Sequence, residues 1–409
     1  MEEFIKQLGP LFEVGLVLVI GYLFGNIANF FKLPRVSGYI AAGVLMSPYL
    51  LGIIDKEFLD KSTVITHASL SIITFLIGSS LAWEKVKSLG KTIALVTLGE
   101  AELAFIFVII AMALYLYFFG NLDIKLLFAL ALVFGALASP TDPTATLEVI
   151  HEFKAKGVLT TTVLGVAALD DATGIFNFVI GYAVATSVLS GAELKIGEVF
   201  KEVGFEIFGA IFLGIVMGYL MHFLGKFAEE RKEVVTVTVG ILFLTFSIAH
   251  FAGVDELLST MTTGITLVNI DKENEKFKGP LENYIEDVIF TAFFVIGSAF
   301  LNLKVLFEYF PMVFVYVLSR FVGKYTGVYL GGHLSNAPEV VKKYLAFSLF
   351  PQGGIVIGLA LLAYQNPEFR DVGLILVNIV IGATAIHEFL GPAFSELALK
   401  KAGEITKKI

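Results

Sequence analysis

Ser139-Pro140-Thr141-Asp142-Pro143 lies in the middle of an otherwise apolar run from 125 to 150. Its prolines, three residues apart, remove two backbone donors and clash with the preceding turn, which predicts an interrupted helix rather than a continuous one. A second run, 342–364, carries Phe350-Pro351-Gln352-Gly353-Gly354, another interruption among apolar residues. Non-helical backbone at membrane depth survives only where protein or a watery cavity surrounds it. Interrupted segments in corresponding positions of two halves point to a transport site, because the freed carbonyls and half-helix ends become ion-facing dipoles. Pro140, Pro143, Pro351, Gly353 and Gly354 are the breakers, and Asp142 is the ionisable residue between the first pair.

The remaining sequence supplies the membrane that such breaks require. Of 409 residues, 56% are hydrophobic and only 16% charged, with a mean hydropathy of +0.83. A soluble domain carries about 25% charged residues. The absence of cysteine excludes thiolate metal sites, cysteine catalysis and disulfide scaffolds, and the net charge of −8 leaves no basic footprint for nucleic acid. A helix needs about 20 mostly apolar residues to span the hydrocarbon core. Thirteen stretches qualify: 11–31, 36–54, 64–83, 92–119, 125–150, 158–189, 198–224, 233–251, 254–269, 285–302, 305–333, 342–364 and 371–398.

The expected fold class is therefore an all-α polytopic membrane protein of about 13 transmembrane helices. Spans 1–6 and 8–13 form two inverted repeats, approximately 11–189 and 233–398, in which span 5 corresponds to span 12. A single transmembrane domain over 1–409 is expected, with core spans at 92–189 and 305–398, the remainder as dimerisation scaffold, and no soluble regulatory domain. The first stretch follows Met1-Glu2-Glu3 instead of a basic segment and does not read as a cleavable signal. Placing the N-terminus outside and the C-terminus inside assigns nineteen of the 29 basic residues to the cytoplasm and eight to the exterior.

The two basic residues left over are Arg320 and Lys324, one turn apart on span 11. Ionisable groups inside spans are costly and mark function by default. The acids deep in spans are Asp142, Asp170 and Asp171, whereas Glu100, Glu102 and Glu148 are expected near helix ends. His250 and His387 have the chemistry of proton relays, but are expected first as hydrogen-bonded helix-end imidazoles. Asp170 and Asp171 point about 100° apart on a helix, so one faces the broken helices and an ion while the other faces a cation on a neighbouring span. Carboxylate, hydroxyl and carbonyl oxygens suit a small hard cation such as Na⁺ or Li⁺. Competition between that cation and a proton for one carboxylate suffices for exchange if the site alternates sides. Gly323, Gly327 and Gly331 recur every four residues on span 11, as do Gly21/Gly25 and Gly214/Gly218, and predict close helix packing.

At these residues the chain resembles the monovalent cation/proton antiporter superfamily, almost end to end. Leu33-Pro34-Arg35-Val36-Ser37-Gly38-Tyr39-Ile40-Ala41-Ala42-Gly43 with Pro48 looks like the family's second-span entry. Thr141-Asp142-Pro143 looks like its first crossover helix, and Asp170-Asp171 like its paired-aspartate signature. Gly323-Lys324-Tyr325-Thr326-Gly327 is similar to the lysine-bearing helix of the electrogenic branch. The resemblance implies Asp171 as the principal Na⁺ and proton ligand, Asp170 as partner of Lys324, and Thr141 and Asp142 lining the crossover. It also implies a homodimer, elevator-like movement of the core domain, and exchange of two protons for one cation across the cytoplasmic membrane.

The chain also departs from its relatives. Ser80 stands where many carry a glutamate after Gly78-Ser79, and Ile355 where potassium-efflux relatives often have an acid. The departures favour Na⁺, or Li⁺, over K⁺; K⁺/H⁺ exchange is the alternative within the superfamily and a passive cation channel the alternative outside it. Arg320, one turn before Lys324, competes with it as the partner of Asp170. No cofactor and no enzymatic activity are expected: Gly-x-Gly-Asp and His-Glu-x-x-His are absent, and Lys85 occupies the place of the first glycine of a phosphate-binding loop.

Overall fold

The computed structural model describes residues 9–31, 35–84, 90–120, 122–141, 146, 149–150, 153–190, 196–228, 230–270, 275–352, 355–369 and 372–405. Seventeen α-helices of six residues or more occur among them, with no strand. In order they are α1 (Pro10–Phe30), α2 (Arg35–Met46), α3 (Lys56–Lys61), α4 (Thr63–Ser80), α5 (Gly90–Phe119), α6 (Ile124–Ala138), α7 (Val158–Leu189), α8 (Ile196–Gly225) and α9 (Arg231–Ala252). They continue as α10 (Glu256–Ile270), α11 (Glu275–Tyr284), α12 (Glu286–Ala299), α13 (Leu303–Glu308), α14 (Phe310–Leu334), α15 (Glu339–Ser348), α16 (Ile355–Gln365) and α17 (Gly373–Lys401).

Local chemistry sets several of the ends. Pro10 opens α1, where its missing N–H removes nothing from the helix. The Asp123 carboxylate accepts from the Lys125 N–H to cap α6. Glu230 and Glu233 form a capping box at the start of α9, and Gly253 closes that helix at φ 67°, the left-handed conformation that glycine adopts without a Cβ penalty.

Both expected interruptions occur. The apolar run 125–150 is helical to Ala138 and then non-helical over Ser139–Thr141, and the run 342–364 is non-helical between Ser348 and Ile355 among the described residues. Among the described residues, four helices are long and apolar enough to cross a membrane: α1, α5, Gly204–Gly225 within α8, and α9. The pair Gly373–His387 and Leu390–Lys401 within α17, bent by 41°, brings the number to five if it is one span. The count of thirteen is therefore not established. Several expected spans fall short of about 20 residues, with α2 at 12, α6 at 15 and α16 at 11, and α6, α15 and α16 are pieces of the interrupted runs.

The chain forms two compact units. One comprises residues 62–88 and 191–293. In it α4, α8, α9 and α10 pack around Ile72, Phe75, Met217, Met221, Leu242 and Leu267. Gly214 and Gly218 let α8 approach Ser259, Thr262 and Thr266 of α10, and the Thr74 and Thr260 hydroxyls pair at 2.7 Å between α4 and α10.

The other unit comprises residues 1–61, 89–190 and 294–409, and it includes the expected core segments 92–189 and 305–398. Its apolar centre includes Val96, Leu159, Val163, Val166, Val328, Val341, Leu345 and Leu349. The most extensive helix pairing in the unit is α5 against α14, and glycine explains it. A Cβ at Gly323 would stand 2.6 Å from the Leu103 carbonyl oxygen; at Gly327 it would meet Gly99, and at Gly331 Leu95. As the register rises by four along α14 it falls by four along α5, so the helices run antiparallel with their backbones in contact. That contact carries Lys324, next to Gly323, up to Glu100, next to Gly99.

Candidate functional site

A helix interrupted at membrane depth leaves its last four carbonyls without intrahelical partners. Around the end of α6, four successive carbonyls accept from side chains. The Leu137 carbonyl accepts from Gln352 Nε2 at 2.7 Å, and the Ala138 carbonyl from Arg320 Nε at 2.9 Å. The Ser139 carbonyl accepts from Lys324 Nζ at 2.8 Å, and the Pro140 carbonyl from Arg320 Nη2 at 2.8 Å.

The end of α15 is treated in the same way. Its Ser348 carbonyl accepts from Thr146 Oγ1 at 2.7 Å, its Leu349 carbonyl from Thr141 Oγ1 at 3.5 Å, and the Phe350 and Pro351 carbonyls from Arg320 at 2.7 and 3.3 Å. One guanidinium thus bonds both breaks. Arg320 and Lys324 also bring positive charge to helix C-termini, where the backbone dipoles present their negative ends.

Lys324, with its neighbours, forms the charged centre. Its ammonium is ion-paired with Glu100 Oε2, donates to Thr141 Oγ1 and the Ser139 carbonyl at 2.8 Å each, and reaches Asp170 Oδ2 at 3.5 Å. Glu100, Asp170, Arg320 and Lys324 are all fully buried. Both carboxyls lie within ion-pair distance of the one ammonium. Asp170 Oδ1 and Glu100 Oε1 have no hydrogen-bond partner among the described residues. An ammonium has three N–H donors, and four oxygens surround this one. Asp170, at the longest distance, is the most weakly held. Ser139 is itself fixed by its hydroxyl bond to the Ala101 carbonyl (3.2 Å) and by Asn177 Nδ2 (2.9 Å) from α7.

The structure thus brings together Thr141, Asp170, Lys324, Arg320, Pro140 and Pro351. Asp142, Pro143, Gly353 and Gly354 lie outside the described residues, as does the side chain of Asp171, although Asp171 belongs to α7. Arg320 does not act as the expected second charge partner. Its donors go to carbonyls, and among the described residues no carboxylate lies within ion-pair distance of it.

Glu100 corrects the sequence reading most. Expected near a helix end, it sits in the third turn of α5 as the direct partner of Lys324. The glycine pattern held the missing signal: Gly99 opposite the Gly323/Gly327/Gly331 stripe puts Glu100 beside Lys324. The histidines also divide. His250 Nδ1 bonds Glu256 Oε1 at 2.8 Å, as expected of a helix-end imidazole. His387 is buried with neither ring nitrogen partnered among the described residues.

Three comparisons bear on this arrangement. The transmembrane sodium/hydrogen exchanger family profile matches residues 15–394. The ammonium/H(+) antiporter subunit AmhT of Alkalihalophilus pseudofirmus is 21% identical over 383 residues, covering 91% of each chain. The Na(+)/H(+) antiporter NhaP of Pseudomonas aeruginosa is 22% identical over 381 residues, covering 86% of this chain and 88% of its own. In fold, the chain matches the sodium proton antiporter MjNhaP1 of Methanocaldococcus jannaschii with a TM-score of 0.77 at 18% identity, over 100% of both chains. With a family match spanning nearly its whole length, this chain belongs to the transmembrane sodium/hydrogen exchanger family.

Proposed function

We propose that this protein is a secondary antiporter exchanging a monovalent cation, Na⁺ or Li⁺, for protons by alternating access. The observation that carries the reading is the set of oxygens around Lys324 Nζ: carboxylates of Glu100 and Asp170, the Thr141 hydroxyl and the Ser139 carbonyl. These are the hard oxygen donors that a small alkali cation takes. The lysine ammonium and such a cation are therefore competing occupants of one site. With the ammonium in place one of the two carboxylate charges is balanced from within the protein. When a cation enters from one side, it takes over the oxygens, the ammonium is repelled, and lysine loses a proton.

Asp171, adjacent to Asp170 on α7, provides the further carboxylate on which cation and proton compete. A transition between states open to either side of the membrane then couples cation movement to proton countermovement. If two protons leave for each cation, membrane voltage contributes about 2.3 kcal/mol per net charge per 100 mV. Arg320 stays with the carbonyls in this scheme and holds the two breaks as one unit. A homodimer in the cytoplasmic membrane, with the N-terminus outside and the C-terminus inside, completes the proposal.

The test is exchange by purified protein in liposomes carrying an acid interior, followed with a pH-reporting dye while Na⁺, Li⁺ or K⁺ is added under clamped voltage. Na⁺ and Li⁺ should release the pH gradient and K⁺ should not. Asp171→Asn and Lys324→Gln should lose that response. Full exchange by Asp171→Asn would remove the aspartate from the mechanism. Equal response to K⁺ would overturn the selectivity. Conductance independent of the pH gradient would make the protein a channel.

A further inference from the structure

Beyond the charged cluster, His387 on α17 is a buried titratable group that plays no part in the mechanism above. It is fully buried, and neither Nδ1 nor Nε2 has a partner among the described residues. Its ring meets Phe350 edge-on at 4.8 Å, and the Phe350 carbonyl is the one that Arg320 holds at 2.7 Å. The imidazole therefore adjoins the second break, and Arg320 and Lys324 of α14 are the charged groups acting on it from the facing helix. Glu388, next to it on α17, has its side chain outside the described residues.

His387 does not stand alone. Thr384, Gly391 and Ser395 recur with it at helical spacing on one face of α17. Gly391 lets that face approach the Pro351 ring. The Ser395 hydroxyl pairs with Thr146 Oγ1 at 2.7 Å, which in turn donates to the Ser348 carbonyl at the end of α15. Thr384 Oγ1, Ser348 Oγ and Gln352 Oε1 are, like the imidazole, buried without a partner among the described residues. A polar row thus runs about 16 Å along α17, flanking the second break. Buried polar groups in proteins are met by protein or by ordered water, so a row with so few protein partners is one that water enters. A neutral imidazole accepts a proton at one ring nitrogen and releases the proton held on the other, which suits it to pass protons along such a row.

We propose that His387 is a proton-transfer residue on a hydrated path along α17 leading to the Lys324–Asp170–Glu100 cluster. The proposal rests on the antiport reading and adds the route by which protons leave and enter. A relay governs how fast protons move, whereas a group that shapes the ion site governs how many are released and how tightly the cation binds.

The test is stopped-flow measurement of proton release into weakly buffered detergent solution when NaCl is added, for wild type, His387→Phe and His387→Gln. In both variants the number of protons released should equal that of wild type, while the release rate falls about tenfold or more. In liposomes the maximal exchange rate should fall by the same factor with half-saturating Na⁺ unchanged. Because His387→Gln keeps a polar group of similar size, it decides the matter if His387→Phe does not fold. Wild-type release rates in His387→Gln would overturn the proposal, as would a reduced number of protons released at an unchanged rate. Absence of Na⁺-driven release from wild type would overturn the antiport reading, and the relay with it. Release by wild type with matching variants would overturn the relay alone.

Discussion

Arg320→Met is the substitution that most directly tests how the two breaks are held. The side chain makes four hydrogen bonds, to the carbonyls of Ala138, Pro140, Phe350 and Pro351, at 2.7 to 3.3 Å. Removing it leaves four buried acceptors, each costing about 1–3 kcal/mol if unmet. Against this, folding no longer has to desolvate a guanidinium, which returns several kcal/mol. The net expected loss is about 3–5 kcal/mol, in the range found when one partner of a buried charge interaction is removed. For a chain of 409 residues that lowers the melting temperature by roughly 3–6 °C.

Arg320→Lys keeps the charge but has one nitrogen in place of a planar fork. It satisfies one break and not both, so its loss should be intermediate. The assay is thermal unfolding in detergent followed by the fluorescence of Trp83, the single tryptophan, with liposome exchange measured in parallel. If Arg320→Met melted within about 1 °C of wild type and exchanged normally, the argument that this guanidinium satisfies both helix ends would be refuted.

Further outcomes follow from the same geometry. Gly327→Ala puts a Cβ against the backbone of Gly99 and Glu100; it should cost about 1–3 kcal/mol by overpacking and separate Lys324 from Glu100, measured as a lower melting temperature with reduced exchange. Glu404 accepts from the Leu159 N–H (2.7 Å), the Thr160 N–H (2.8 Å) and the Thr160 hydroxyl (2.7 Å), so it caps α7 from a distant part of the chain. Glu404→Ala should therefore cost about 1–2 kcal/mol and speed amide exchange at the start of α7.

The breaks could be read from the sequence because proline and glycine act locally. Pro140 and Pro351 end their helices whatever surrounds them, and the structure interrupts the chain at both. The scarcity of charge likewise singled out Arg320 and Lys324, since neither fits a loop. Which partners they take could not be read locally. Both carry the same charge on the same face, so sequence spacing made Arg320 and Lys324 equal candidates for Asp170. Only the placement of carbonyls from two breaks around one guanidinium, and of carboxylates around one ammonium, separates them.

Glu100 and His387 show the same division. An acid eight residues into an apolar stretch reads as an interfacial group if distance from the helix end is the only measure. It becomes the partner of Lys324 because two glycine-bearing faces meet without side chains between them, which is a property of the pair of helices and of neither alone. His387 reads as a helix-end imidazole in its own segment and lies beside Phe350 only once α17 packs on the second break. By itself, the amino-acid sequence determined the membrane, the interruptions and the short set of buried charges, because apolar length, proline and ionisable groups act on the residues that carry them. The tertiary structure decided which charge meets which oxygen, because hydrogen bonds and ion pairs depend on distances between segments that the chain brings together only on folding.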